Sequence, residues 1–400
     1  MLGVRNRGVT AAGSHDIPVG PRYGFQELIM TRWMIKSLLL EPLMLMIAIT
    51  SGASAFLLII MFEGIFAGES EKIVAYVRNV EADVWVMQRG VSNMHMATSY
   101  VADWKVRQVR ELPGVAAVDP ILYLNTVVEA GEHRWFSYVV GLDVPSAYAG
   151  PWAMSIGRDQ PALGEVIVPE VFARMAQLKI GSQLRITDHE FIIVGLSRET
   201  FSMANSVIFI NKIDMEDIMS SFDISSFMLV KTANGVTPGD LAATIEREVD
   251  KVHALTAEQF LKNDKKMAMQ MGTDTIALMT LIGGALAILL VAFTIYSQVA
   301  RQRCELAVAK ALGVTNGALY ASVVFQAIVI TLTSVIVATL VAALLMPVLS
   351  KLIPAVTMRL TMASVTKIAA AGIFVAIAAS LMPARQIARL DPVSAFQGGG

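Results

Sequence analysis

Sulfur and charge are both scarce in this chain. Its 400 residues contain a single cysteine, Cys304, so no disulfide can form within it. Any folded part in an oxidising compartment must therefore be held together by its own core. Charged residues make up only 16% of the sequence, whereas soluble domains carry about 25%. The formal net charge of −1 excludes the strongly basic surface that a nucleic-acid partner requires. Catalytic signatures are missing as well. No G-x-x-x-x-G-K-[S/T] segment exists to cradle nucleotide phosphates. The five histidines are scattered, with no H-E-x-x-H motif and no paired cysteines, so neither a bound metal nor a resident cofactor is expected. Gly195-Leu-Ser-Arg-Glu199 begins like a nucleophile elbow, but Glu199 stands where the second glycine is required. The chain reads as no enzyme.

What is present is apolar sequence, 55% of residues, gathered into uncharged runs. Leu43 to Phe62, Thr275 to Ala300, Ala311 to Ser350 and Ile368 to Ala384 are bounded by charged residues. A bilayer core needs roughly 20 apolar residues, so the runs predict spans over 43–62, 275–300, 319–346 and 365–384. The fold class is a membrane protein with four transmembrane α-helices in a 1+3 arrangement, with a large mixed α/β extracytoplasmic domain between spans one and two. The first run follows a basic segment over 1–42 and is too long for a cleaved leader, which favours a signal anchor. Arg5, Arg7, Arg22, Arg32 and Lys36, then Arg301, Arg303 and Lys310, then Arg385 and Arg389 fall on one side of a four-span chain. The loop over 347–364 and its flanks hold Lys351, Arg359 and Lys367 on the other. The longer basic tail decides the vote, placing both termini, 1–42 and 385–400, in the cytoplasm.

The segment 63–274 is long enough for a core of its own. Ala82 to Met87 and Arg134 to Val140 are rich in strand formers. Val101 to Leu112 reads as a helix, followed by a turn at Pro113-Gly114 and the strand Val115 to Val118. A second helix is expected from Thr237, with Pro238 at its first position, to Val249, before the strand Val252 to Leu255. These paired units suggest one lobe from 64–143 plus 226–274. The strand-rich stretch between them, with Glu165 to Val168, Gln183 to Ile186 and Phe191 to Gly195, suggests an inserted β-rich lobe over 144–225. Polar helices over Glu63–Val80 and Ala257–Asp274 lead into and out of the domain. The second span could continue inward to Leu312, a rod of about 57 Å from Thr275.

Small residues recur four apart in the spans: Ala48 and Gly52; Gly283 and Ala287; Ser334, Ala338 and Ala342; Gly372, Ala376 and Ser380. Such rows let helices approach closely, although small residues are also simply common in spans. Between spans two and three lies RQRCELAVAKALG, Arg301 to Gly313. Glu305 to Leu312 are good helix formers, Gly313 suits a left-handed C-cap, and Thr315 or Asn316 can cap the next helix. The result is a tight charged elbow over 301–318. Its plainest reading is a solvated helix in which Arg301 pairs with Glu305 four residues on.

The elbow resembles what is roughly the R-x-x-E-x-x-x-x-[RK]-A-L-G motif of MacB/FtsX-type ABC transporter permeases, with Arg301 or Arg303 one residue from the motif's arginine position and Glu305, Lys310, Ala311, Leu312 and Gly313 in place. The chain also ends with Pro383-Ala384, Ala388, Asp391-Pro392 and Ala395, similar to that family's closing motif, with Ile387 replacing a small residue. The resemblance, close to that of LolC/LolE and DevC-like permeases, implies a permease subunit of a bacterial inner-membrane ABC transporter. It implies relay of motion from a separate cytoplasmic ATPase, which uses ATP and Mg, to the outer domain for export or extraction of a substrate. Arg301, Arg303, Glu305, Lys310, Leu312 and Gly313 would face the ATPase, and Phe25 to Leu40 takes the place of the family's amphipathic helix. The expected partners are that ATPase, a second copy or a homologous permease, membrane lipids and a periplasmic adaptor. The alternative is an FtsX-like regulator that activates a cell-wall hydrolase and transports nothing.

Overall fold

A computed structural model describes residues 42–95, 97–131, 133–202 and 206–388. The chain divides into two compact units. One comprises Met1–Ala55, Ile288–Ile336 and Ala369–Gly400; the other comprises Phe56–Ala287 and Val337–Ile368. The chain passes between them inside helices rather than loops: α1 (Pro42–Lys72), α7 (Ala257–Arg301), α9 (Asn316–Leu352) and α10 (Met362–Ala388).

The second unit is built on a sheet that reaches ten strands among the described residues, with the path β12-β1-β11-β3-β4-β9-β6-β8-β5, and β7 pairing with β3 and β8. The first group of strands is β1 (Val84–Gln88), β3 (Val115–Ala130), β4 (His133–Leu142), β11 (Phe227–Thr232) and β12 (Val252–Thr256). In β1, Val84 and Val86 point to one face and Trp85 and Met87 to the other, and all four are fully buried. A strand covered on both faces is apolar throughout instead of alternating. Helices α3 (Asp103–Arg110) and α6 (Pro238–Glu248) cover the first face through Val106, Val109, Leu241 and Ile245. On the second face Trp85 stacks on Phe260 of α7 at 4.4 Å, with Phe227 edge-on to Trp85 at 5.8 Å. As the sequence indicates, Thr237 caps α6: its Oγ1 accepts from the Asp240 N–H at 3.2 Å, with Pro238 in the first turn.

The remaining strands are β5 (Met154–Gly157), β6 (Glu165–Pro169), β7 (Gln183–Ile186), β8 (His189–Ser197) and β9 (Ser206–Asn211). They have a core of their own around Phe172, Phe191 and Ile193. They do not form a separate sheet, however, because β9 pairs in parallel with β4 along Ser137 to Leu142. Phe209 and Ile167 also join the aromatic core of the first group. The inserted lobe is thus an extension of the parent sheet. Helix α3 begins at Asp103 rather than Val101, because β2 (Val101–Ala102) pairs with β10 (Ile224–Ser225). Asp103 is tied to the neighbouring α5 (Lys212–Ile218), where the buried Lys212 ammonium donates to Asp103 at 2.5 Å and Glu216 at 2.9 Å. Burial disfavours that charge, but the two carboxylates outweigh it and raise the lysine pKa.

The polar end of α1 reaches Lys72 and is followed by the short α2 (Ala75–Asn79), so the expected helix over 63–80 breaks at Ile73-Val74. Gly64 and Gly68 do not break α1; they let the segment after α9 approach it. A Cβ on Gly68 would lie 2.2 Å from the Thr357 carbonyl. Arg359 N–H donates to the Gly64 carbonyl at 2.9 Å, Thr357 N–H donates to Glu69 at 2.8 Å, and the Arg359 guanidinium pairs with Glu71. Helix α9 continues through Pro347 to Leu352, further than the span expected over 319–346. The spacing of Ser334, Ala338 and Ala342 on α9, and of Gly372, Ala376 and Ser380 on α10, coincides with buried rows.

Among the described residues, three helices are long and apolar enough to cross a membrane: Pro42–Lys72, Asn316–Leu352 and Met362–Leu381. Within α7 the described apolar stretch is the shorter Gly284–Thr294, and the side chain of Ala287 lies outside what is described. In the first unit, Ser334 Oγ of α9 donates to the Ile49 carbonyl of α1 at 3.2 Å, and a Cβ on Gly52 would lie 2.6 Å from that hydroxyl.

Candidate functional site

The elbow between α7 and α9 is a distinct helix, α8 (Arg303–Ala311). The continuous rod to Leu312 does not form, because α7 stops at Arg301 and Gln302 takes φ −82°, ψ 9° before the helix restarts. Gln302 is buried, and its Oε1 has no hydrogen-bond partner among the described residues. At the far end Gly313 has φ +90°. Its N–H donates to the Lys310 carbonyl at 3.0 Å, and Val314 N–H donates to the Ala309 carbonyl at 3.2 Å. This paired closure is the Schellman motif, in which the left-handed residue is glycine because a Cβ there is strained. Two residues later Thr315 Oγ1 accepts from Ala318 N–H at 3.3 Å and caps α9. The C-terminal end of the elbow is therefore fixed by local chemistry.

Its two faces differ. Leu306, Ala307 and Ala309 are buried, while Leu312 is 81% exposed and Val308 41% exposed. Val308, Ala311 and Leu312 fall three and four apart and are exposed, so they form one outward apolar row. Arg303 and Glu305 occupy the first turn of α8, and their side chains lie outside what is described. Lys310 is half-buried. Arg301 ends α7, with Nη1 donating to Met44 Sδ on α1 at 3.3 Å. Pro383 and Ala384 lie in α10; Asp391, Pro392 and Ala395 fall outside the described residues, as do the whole of 1–41 and its Phe25–Leu40 segment. Sequence reasoning missed Val308, whose spacing to Leu312 was the available signal; exposure is what singles it out.

Two polar groupings lie in the other unit. In one, His95 Nδ1 lies 2.8 Å from Asp264 Oδ1, which also accepts from Met94 N–H at 2.8 Å. The side chains are 3% and 0% exposed, so no substrate can reach them; they tie the segment after β1 to α7. In the other, a cleft of about 250 Å³ is lined by residues including Glu81, Tyr148, Trp152 and Gln160. One oxygen of Asp119 accepts from Ser146 Oγ and from the N–H groups of Ala147, Tyr148 and Ala149, at 2.8 to 3.2 Å. The nest of donors is thus filled by the protein's own carboxylate. Burial, with the Asp119 charge second, pushes the Tyr148 hydroxyl far above its ordinary range, so it serves as a hydrogen-bond donor and not as a base. No group of three or more potential metal ligands occurs among the described residues.

Comparison with known proteins bears on most of the chain. A family model described as the MacB-like periplasmic core domain matches residues 43–248, and one described as the FtsX-like permease C-terminal region matches 277–392. The chain is 22% identical over 293 residues to uncharacterized ABC transporter permeases of Mycobacterium tuberculosis and Mycobacterium bovis, covering 73% of this chain and 79% of each relative. Among solved structures, the periplasmic region of MacB from Actinobacillus actinomycetemcomitans aligns at 9% identity with a TM-score of 0.36, covering 48% of this chain and 97% of that one. The extracellular domain of the noncanonic ABC-type transporter YknZ from Gram-positive bacteria aligns at 10% identity with a TM-score of 0.34, over 44% of this chain and 98% of that one.

Proposed function

Because the chain belongs to the MacB/FtsX-type ABC transporter permeases, whose partner is a cytoplasmic ATPase, we propose that it relays that ATPase's motion through α8 and the spans to the α/β domain. The observation that carries this reading is the elbow: a short helix closed at its C-terminal end by Gly313, with an apolar row turned outward between Val308 and Leu312. An exposed apolar row rimmed by charge suits a groove on a partner protein. The ATPase supplies the driving difference between two states, since a switch shifts only as far as its driver distinguishes them. ATP and Mg belong to that partner. In this reading Arg303, Glu305, Lys310, Leu312 and Gly313 form the contact, the segment 275–300 of α7 is the remaining span, and both termini face the cytoplasm of an inner membrane. A second copy or a homologous permease completes the assembly, and the α/β domain moves a substrate outward, alone or with a periplasmic adaptor.

The test reconstitutes the full chain with its co-purifying ATPase. Leu312→Asp and Glu305→Lys are each expected to reduce stimulated hydrolysis by about tenfold or more, the scale of losing one buried anchor of 1.4 kcal/mol. Thermal unfolding of the permease itself should stay as in wild type. Wild-type stimulation in both variants would remove the elbow from the mechanism.

A further inference from the structure

We propose that the groove between α1 and α7 binds the head-group end of an anionic phospholipid, with Arg301 holding the phosphate. The groove encloses about 170 Å³ and is lined by Met44, Ile47 and Ser51 of α1 and by Phe293, Ser297 and Arg301 of α7. Its depth follows from the sequence. Met44 is the second residue of one apolar run and Arg301 follows directly on another, so both stand at the boundary of water and hydrocarbon. Seven residues separate Met44 from Ser51, and seven separate Thr294 from Arg301; at 1.5 Å per residue the groove descends about 10 Å into the acyl region.

Its polarity is graded along that depth. The guanidinium lies at the mouth, the Ser297 hydroxyl comes next, and the Ser51–Thr294 hydrogen bond of 3.1 Å lies at the floor. Ile47 is 57% exposed and Phe293 70% exposed, so the groove is open at the surface of the single chain. Arg301 Nη1 donates to a thioether sulfur, a weak acceptor, and no ion pair to Arg301 occurs among the described residues. A guanidinium at head-group level whose contact is one weak acceptor matches a phosphate oxygen pair. The cavity is smaller than the 300–1,000 Å³ or so of a site that swallows a whole small molecule. It suits the phosphate and glycerol with the first methylenes of one chain, while the rest of the lipid stays in the bilayer. This inference goes beyond the relay and does not depend on it.

The test uses the purified full-length protein in mild detergent with equal phosphatidylglycerol and phosphatidylcholine, read by native mass spectrometry. Wild type should retain one phosphatidylglycerol per chain, with about tenfold preference over phosphatidylcholine. Arg301→Gln should bring that preference close to one, whereas Lys351→Gln, at the end of α9, should leave it unchanged. Ile47→Trp, which fills the groove and keeps the arginine, should also expel the lipid. Equal preference in wild type and Arg301→Gln would overturn the proposal. So would full displacement by inorganic phosphate, which would mean a free anion and not a lipid. Efficient Phe293→Cys disulfide formation between two copies in lipid would also overturn it, by placing a second chain in the groove.

Discussion

His189 shows how one side chain couples this protein to pH. Its Nδ1 lies 2.8 Å from Asp188 and its Nε2 3.1 Å from Asp217, so both nitrogens donate only when the ring is cationic. Burial disfavours the cation, but the two carboxylates outweigh it and hold the pKa above its ordinary value. The folded pKa is raised, so the stabilisation is complete below the unfolded value of about 6.5. It is lost as pH climbs through the folded value. Since the ring is 34% exposed, solvent screens the pair and the effect is about 0.5 kcal/mol. His189→Gln should flatten the change in melting temperature between pH 6 and pH 8; an unchanged slope would count against the pairing. Nothing in the sequence announced this triad, because Asp217 reaches His189 only after β8 and α5 have folded together. Gly313 is the opposite case. Its role depends on residues 309 to 314 alone, and those are contiguous.

At the scale of elements, the helices follow closely from composition and the strands less so. The apolar run over 43–62 predicts α1, and the cap at Thr237 predicts the start of α6, because both signals are local. The sequence shows β3 only as Val115 to Val118, whereas the strand continues to Ala130 by pairing with β4 from Ile121↔Leu142 to Ala130↔His133. Polar residues such as Asn125 and Glu129 interrupt the pattern, yet they stay in the strand because the ladder satisfies their backbone. The crossing of α1 and α9 yields a prediction at this scale. Gly52→Val would place side-chain atoms against Ser334 Oγ and cost about 1–3 kcal/mol through overpacking. Thermal unfolding in detergent should register the loss, and adding Ser334→Gly should recover part of it. No recovery in the double variant would mean that the two positions do not meet.

For the whole molecule, orientation is the open variable that an experiment reads directly. Cys304 is the single cysteine and sits in α8. With the elbow in the cytoplasm, a membrane-impermeant thiol reagent should leave Cys304 unlabelled in sealed cells and label it after permeabilisation. Labelling in intact cells would reverse the topology and the proposed ATPase contact with it. Arg359, which speaks against this orientation when basic residues are counted, is paired with Glu71 in the folded chain. A charge count over loops cannot register such neutralisation.

Sequence by itself determined the membrane class, the apolar runs and the capped elbow, together with the family those features resemble. Each of these is set by composition over one span or by contacts within a single turn of helix. Tertiary structure alone decided that the inserted strands extend one sheet, that Leu312 and Val308 face outward while Leu306 is buried, and that Arg301 leans on Met44 across a groove. Those outcomes join residues tens to hundreds of positions apart, such as Ser137 with Ser206 and Met44 with Arg301. Such pairs form only when packing brings distant segments together, and no local pattern encodes that choice.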